Sequence, residues 1–214
     1  MAIPRTLDWE AFILAYPGMR LRPRGDCTLA FEGSFAFKAV REGHPDVDDS
    51  YDLSIIVPEA FPRALPVVAE TAGRIPSDGK HHINQDRSLC LGARLRLLIE
   101  LAKKPTLMGY AERCLVPYLY AMSLNLNFGI PFAFGELDHG SVGELKDYIE
   151  VLGLQNIEQT KQAVALLGVK ERNANKHACP CGCGRRLGAC RFRNRLNRIR
   201  QLASLEWFRV NAPK

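Results

Sequence analysis

Three prolines at four-residue spacing, Pro58, Pro62 and Pro66 in "PEAFPRALP", constrain this chain more than any other feature. Each locks its own φ and offers no N–H, so neither a helix nor a central strand can run through residues 58–66. The segment must be a stiff, irregular flap between separately bounded elements. Before it, "CTLAFEGSFAFKAVREG" (27–43) alternates around Glu32-Gly33-Ser34, which predicts a hairpin. "YDLSIIVPEAF" predicts a third strand stopped by Pro58, and "PVVAETAG" a fourth stopped by Gly73. Such short connections favour an antiparallel meander over crossover units. An opening helix is framed by "LDWEAFILAYP", where Trp9, Phe12, Ile13 and Tyr16 share a face before Pro17 and Gly18.

Beyond Gly92 the apolar period becomes helical. Leu107, Ala111, Cys114, Tyr118 and Met122 form one stripe, with a bend expected at Pro117 and Cys114 read as core. Ser141 and Glu144 fit a capping box for a helix ending at Gly153, and Asn156 opens another that Gly168 closes. Glu136, Asp138 and His139 read as a polar turn feeding the first of these helices, since no further ligand with usable spacing is in view. The fold class is therefore α+β. A body over 1–126 is followed by a helical extension over 127–168, then a linker and a cysteine-rich module over 169–214.

Charge separates the same regions. Residues 1–170 hold 18 Lys/Arg against 21 Asp/Glu, whereas residues 171–214 hold 11 against 2. The overall +6 thus belongs to the tail, and only the tail calls for an acidic partner or nucleic acid. No apolar run reaches membrane-spanning length, and "AFILAY" follows Asp8 and Glu10, unlike an export signal. The expected setting is the cytoplasm, without membrane association. Structural disulfides are rare there, so four of the seven cysteines crowding into the last forty residues point to metal.

The most distinctive stretch is "HHINQDRSLCLG" (81–92). A thiol reacts as its thiolate, favoured by exposure and by positive or hydrogen-bonding neighbours. Arg87, His81 and His82 lie close in sequence, and the Asn84 amide can donate to an oxyanion on an acyl carbon. Residue chemistry alone leaves Cys90 open between a nucleophile and an apolar strand residue.

The order of features resembles the ubiquitin-conjugating enzyme family over roughly residues 7–125. "YDLSIIVPEAFPRALP" is similar to that family's third strand and proline flap. "GRIPSDGKHHINQDRSLCLG" is similar to its His-Pro-Asn motif and catalytic cysteine, closest to the divergent bacterial branch. The resemblance implies an N-terminal helix, a four-stranded meander, an active-site loop and C-terminal helices. It also implies an acyl-transfer enzyme. Cys90 would accept a ubiquitin-like modifier as a thioester from an adenylating enzyme and pass it to a lysine of a target protein. ATP would be used only by that activating enzyme, and no organic cofactor is implied. Asn84 falls on the oxyanion-supporting or loop-ordering asparagine, and His82 on a structural histidine. Asp86 is a candidate for ordering the loop or guiding the lysine. Bacterial relatives occur in conjugation operons and beside antiviral genes. This chain departs from the pattern at Ile83, which replaces a proline, and lacks a tryptophan after the cysteine.

The tail "HACPCGCGRRLGACRFRNRLNRIRQL" (177–202) resembles the SEC-C zinc motif through Cys179, Cys181 and Cys190. That motif places a further ligand directly after its third cysteine, where this chain has Arg191. Cys183 and His177 are the alternatives for the fourth position. A structural zinc ion would supply folding energy to a segment with little core of its own. Arg185, Arg186, Arg191, Arg193, Arg195 and Arg198 form a basic patch for an acidic protein or a nucleic acid backbone. Two other readings stay in view, a noncatalytic adaptor on the conjugating fold and a nucleic-acid-binding zinc protein.

Overall fold

The computed structural model describes residues 8–23, 29–78, 80–132 and 140–213. They form an α+β protein of two compact units, the first from residues 8–91 and 100–132, the second from 92–99 and 140–213.

The first unit begins with helix α1 (Trp9–Ala15) and strands β1 (Met19–Pro23), β2 (Leu29–Ala39), β3 (Val47–Val57) and β4 (Val67–Glu70). They pair antiparallel in the order β1-β2-β3-β4, an antiparallel meander as expected but with a different first pair of strands. The hairpin expected at Glu32-Gly33-Ser34 is absent. Those residues lie mid-strand in β2, and the first strand is the short, charged "MRLRP". Turn-like composition here serves a close backbone approach instead. Gly33 has φ +133, and a Cβ on it would stand 2.2 Å from the Gly18 carbonyl oxygen. A Cβ on Gly18 would meet the Ser34 carbonyl oxygen at 2.3 Å. Side chains at both positions are therefore excluded, and Gly33 imitates a turn in sequence.

Strand alternation then builds the core. Phe31, Phe35 and Phe37 of β2 and Tyr51, Leu53, Ile55 and Val57 of β3 are all buried. Helix α2 (Arg94–Lys103) precedes α3 (Leu107–Tyr110), a π-helical turn (Ala111–Leu115) and α4 (Val116–Phe128), and α4 packs on β2 and β3. The whole stripe Leu107, Ala111, Cys114, Tyr118, Met122 is buried. The irregularity expected at Pro117 is taken up just before it. Pro117 has no N–H for the carbonyl one turn back, and the widened π turn absorbs the missing bond.

The second unit holds the first part of α2 with α5 (Gly140–Leu152), α6 (Ile157–Leu167), α7 (Glu171–Ala174), α8 (Phe192–Arg200) and α9 (Leu205–Val210). Asn156 caps α6 as read, its side chain accepting from the Gln159 N–H at 2.9 Å. The capping box at Ser141/Glu144 does not form, because α5 already runs at Gly140. Glu144 instead accepts from the Arg94 N–H at 3.1 Å and from the Tyr148 hydroxyl at 2.7 Å. The Tyr148 hydroxyl accepts in turn from the Leu95 N–H at 3.1 Å. The first N–H groups of a helix have no intrahelical partner, and α5 supplies those of α2. Within the stretch 169–178, α7 forms with Ala174 fully buried.

Candidate active loop and candidate metal centre

The loop that carries Cys90 is held by its backbone at both ends. Ser88 bridges to Ala69 at the edge of β4, and the Leu89 N–H donates to the Val68 carbonyl at 2.7 Å. Ile83 bridges to Leu89, and the Cys90 N–H donates to the His82 carbonyl at 2.7 Å. The chain from 81 to 90 thus folds back on itself and leaves Cys90 half-buried where it departs towards α2. Two residues take the left-handed conformation to allow this, His82 at φ 52 and Arg87 at φ 66.

Inside the loop a polar relay ties the expected residues together. The Asn84 amide donates to the Ser88 hydroxyl at 2.9 Å, and that hydroxyl donates to the Asp86 carboxylate at 2.6 Å. Asp86 also accepts from the Ser88 N–H at 3.0 Å, so its contacts order the loop. Asn84 is exposed and keeps a second amide N–H beyond the one given to Ser88. His82 touches Cys90 through its carbonyl, while its ring stands edge-on to Phe132 with centroids 4.8 Å apart. His81 pairs through Nδ1 with Asp78 at 2.7 Å, a hydrogen bond that lowers the Asp78 carboxyl below its ordinary value. Glu136, Asp138 and His139 lie outside the described residues.

Three tyrosines complete the frame, and the sequence reading missed what they do. Along the helical segment, the hydroxyls of Tyr110, Tyr118 and Tyr120 donate to the carbonyls of Pro66, His81 and Pro45, at 3.2, 3.0 and 3.1 Å. One thereby anchors the proline flap, the next the loop that carries Cys90, and the third the β2–β3 connection. Burial first, and then the neighbouring Cys90 thiol, push the Tyr118 phenol well above its ordinary value, so it remains an O–H donor. The available signal was that buried tyrosine hydroxyls require acceptors, and three such residues fall within eleven positions of an apolar stripe. Cys114 is a different thiol. It is buried, and desolvation pushes it up to about 12, which keeps it protonated and unreactive.

In the second unit, the Sγ atoms of Cys179, Cys181, Cys183 and Cys190 all lie within 4.8 Å of one another, a group that could hold a metal ion. The Cys179–Cys181 separation is 3.2 Å and Cys181–Cys190 is 3.6 Å. A short ribbon presents them. Ala178 bridges to Arg186, the Cys179 N–H donates to the Arg185 carbonyl, and the Leu187 N–H to the His177 carbonyl. Gly182 and Gly184, at φ 78 and 72, turn the chain so that three cysteines at alternate positions bring their sulfurs together, with Cys183 at the exposed side of the group. His177 is exposed and stands outside the sulfur group, leaving Cys183 in the fourth place.

The basic residues divide into two sets. Arg193 donates to the Gly188 carbonyl at 3.0 Å, and Arg195 to that of Leu152 at the end of α5. Arg200 and Arg209 donate to the Leu166 and Gly168 carbonyls that close α6, both at 2.8 Å. Arg195, Arg200 and Arg209 thus satisfy helix C-terminal carbonyls and oppose the helix dipole. Arg185 reaches the Cys183 sulfur. Arg186, Arg191 and Arg198 are exposed, and among the described residues no hydrogen bond or ion pair engages their head groups.

No helix among the described residues is long and apolar enough to cross a membrane. Comparison of the chain with family models, with curated proteins and with solved structures finds no match.

Proposed function

We propose that this protein carries a ubiquitin-like modifier as a thioester on Cys90 and transfers it to an amine of a target protein. The observation that carries this reading is the setting of Cys90. It is a half-buried thiol at the end of a loop braced on a four-stranded meander, with a proline flap upstream and a buried tyrosine beside it. The thiolate would attack the modifier's acyl-adenylate carbonyl, forming the thioester as AMP leaves. A lysine amine would then attack the thioester carbon. The thiolate departs, the new amide forms, and the amine loses its proton to solvent. A thioester is already activated, so the protein needs mainly to position it and to support the tetrahedral oxyanion. Asn84 supplies the amide donor, Asp86 and Ser88 hold that amide, and His82 serves as scaffold.

We further assign the four-cysteine group to zinc. Tetrahedral Zn–S bonds of about 2.3 Å put the sulfurs about 3.8 Å apart. The separations of 3.2 and 3.6 Å, and the 4.8 Å limit for the group, bracket that spacing. Zinc bound there would hold the ribbon and has no part in the acyl transfer.

The test combines the protein with its adenylating enzyme, ATP and a modifier ending in glycine. A thiol-reducible adduct is expected for the wild type and none for Cys90→Ala. Adduct formation that is the same in both would remove the catalytic reading and leave the noncatalytic adaptor, whose partner binding survives loss of Cys90.

A further inference from the structure

The second unit contains a surface that neither the cysteine loop nor the metal group uses. From Arg172 to Leu205 the chain has no Asp or Glu and nine Lys/Arg. Four thiolates around a divalent ion would add two negative charges, so the stretch stays strongly cationic. Such a run usually forms a solvated face, and several of its arginines are indeed bound to helix carbonyls. Of the six that remain, two lie with two amides on one ordered face of α8. Arg191, Asn194, Arg198 and Gln201 are exposed at spacings of three, four and three residues, one stripe along α8 and its flanks. Every member is a hydrogen-bond donor, and the one acidic side chain seen against α8 among the described residues, Glu171, is taken up by the neighbouring Asn197 amide at 2.6 Å. The spacing places Arg191 and Arg198 about 10 Å apart along the axis.

We infer that this stripe binds the phosphodiester backbone of a nucleic acid duplex, without reading sequence. Three observations select that ligand among polyanions. A protein interface needs a buried apolar centre within its polar rim. Among the described residues, the exposed large apolar side chains are Leu14, Val40, Val67, Phe128, Val142 and Val210, none of them on the stripe. Single-stranded nucleic acid is held by stacking on aromatic side chains. The stripe carries none, and Phe192 at its start is half-buried. A duplex backbone asks only for donors and positive charge at intervals, as this face supplies. The α8 helix is also rigidly seated: Leu196 and Ile199 are buried on its other side, and Arg193 and Arg200 fasten it to carbonyls of its own unit. This inference is independent of the reading of Cys90.

The test is fluorescence anisotropy of the full chain with a 20-bp DNA duplex of mixed sequence, over a range of salt. Arms with a single-stranded 20-mer, polyglutamate and phosphatidylserine vesicles run in parallel. Binding of the duplex is expected to weaken with salt, with a log–log slope of about −2 to −3 for two or three phosphates neutralised. R191A/R198A is expected to reduce that slope by about 2 while keeping the wild-type urea midpoint, since both side chains are exposed. Wild-type affinity and slope in the double variant would overturn the inference. So would absence of duplex binding, or tighter binding to polyglutamate, vesicles or the single strand.

Discussion

A thiol that is to accept an acyl group must be reachable, and the cysteines of this chain differ sharply in that respect. Iodoacetamide at neutral pH is expected to alkylate the half-buried Cys90 well before the buried Cys114, read by peptide mass spectrometry. Equal labelling would contradict the burial that separates them. Tyr118→Phe removes the donor to the His81 carbonyl. It is expected to cost about 1 kcal/mol, measured by urea unfolding. Asp49 provides a pH-dependent test away from the loop. Burial works against its charge, but hydrogen bonds from Arg74, Ser123, the Ser50 N–H and Asn127 prevail, and its carboxyl falls to about 2. A depressed folded pKa stabilises the protein above the unfolded value near 3.9, and this contribution is lost as pH falls towards 2. Asp49→Asn should therefore cost on the order of 2 kcal/mol at pH 6 and almost nothing near pH 2, measured by urea unfolding.

At the scale of elements, the bounds that come from local chemistry were legible and those that come from neighbours were not. Asn156 opens α6 as its type predicts, because an N-cap is satisfied within one turn of its own chain. Glu144 has equally good capping chemistry, yet its carboxylate serves the N-terminus of α2, some fifty residues away in sequence. Tyr148→Phe would leave the Leu95 N–H without that acceptor, and a loss of about 1 to 3 kcal/mol is expected in thermal unfolding. Gly33 misled for a similar reason. A glycine that opens a turn and a glycine that lets a distant carbonyl approach look the same in sequence. Gly33→Ala should lower the unfolding free energy, read by urea unfolding, by about 2 kcal/mol or more, since both its φ and the Gly18 oxygen oppose a side chain.

For the molecule as a whole, the cysteine group and the charge partition carry the remaining tests. Native mass spectrometry is expected to find one zinc per chain, lost in Cys183→Ser and kept in His177→Ala. Chelation should raise hydrogen exchange across the ribbon, where metal would replace a core. The first two strands fall elsewhere than their turn signal implied, but the sequence by itself determined the α+β class, the third and fourth strands, the buried stripe, the cysteine cluster and the basic tail. Each of these follows from period, spacing or composition, which are properties of neighbours along the chain. Only the tertiary structure decided that Cys183 rather than His177 joins the sulfur group and that Tyr118 anchors the loop of Cys90. It also separated the arginines that close helices from those that face outward. Those outcomes turn on where a backbone carbonyl or a sulfur from another part of the chain comes to lie, and linear spacing does not encode that distance.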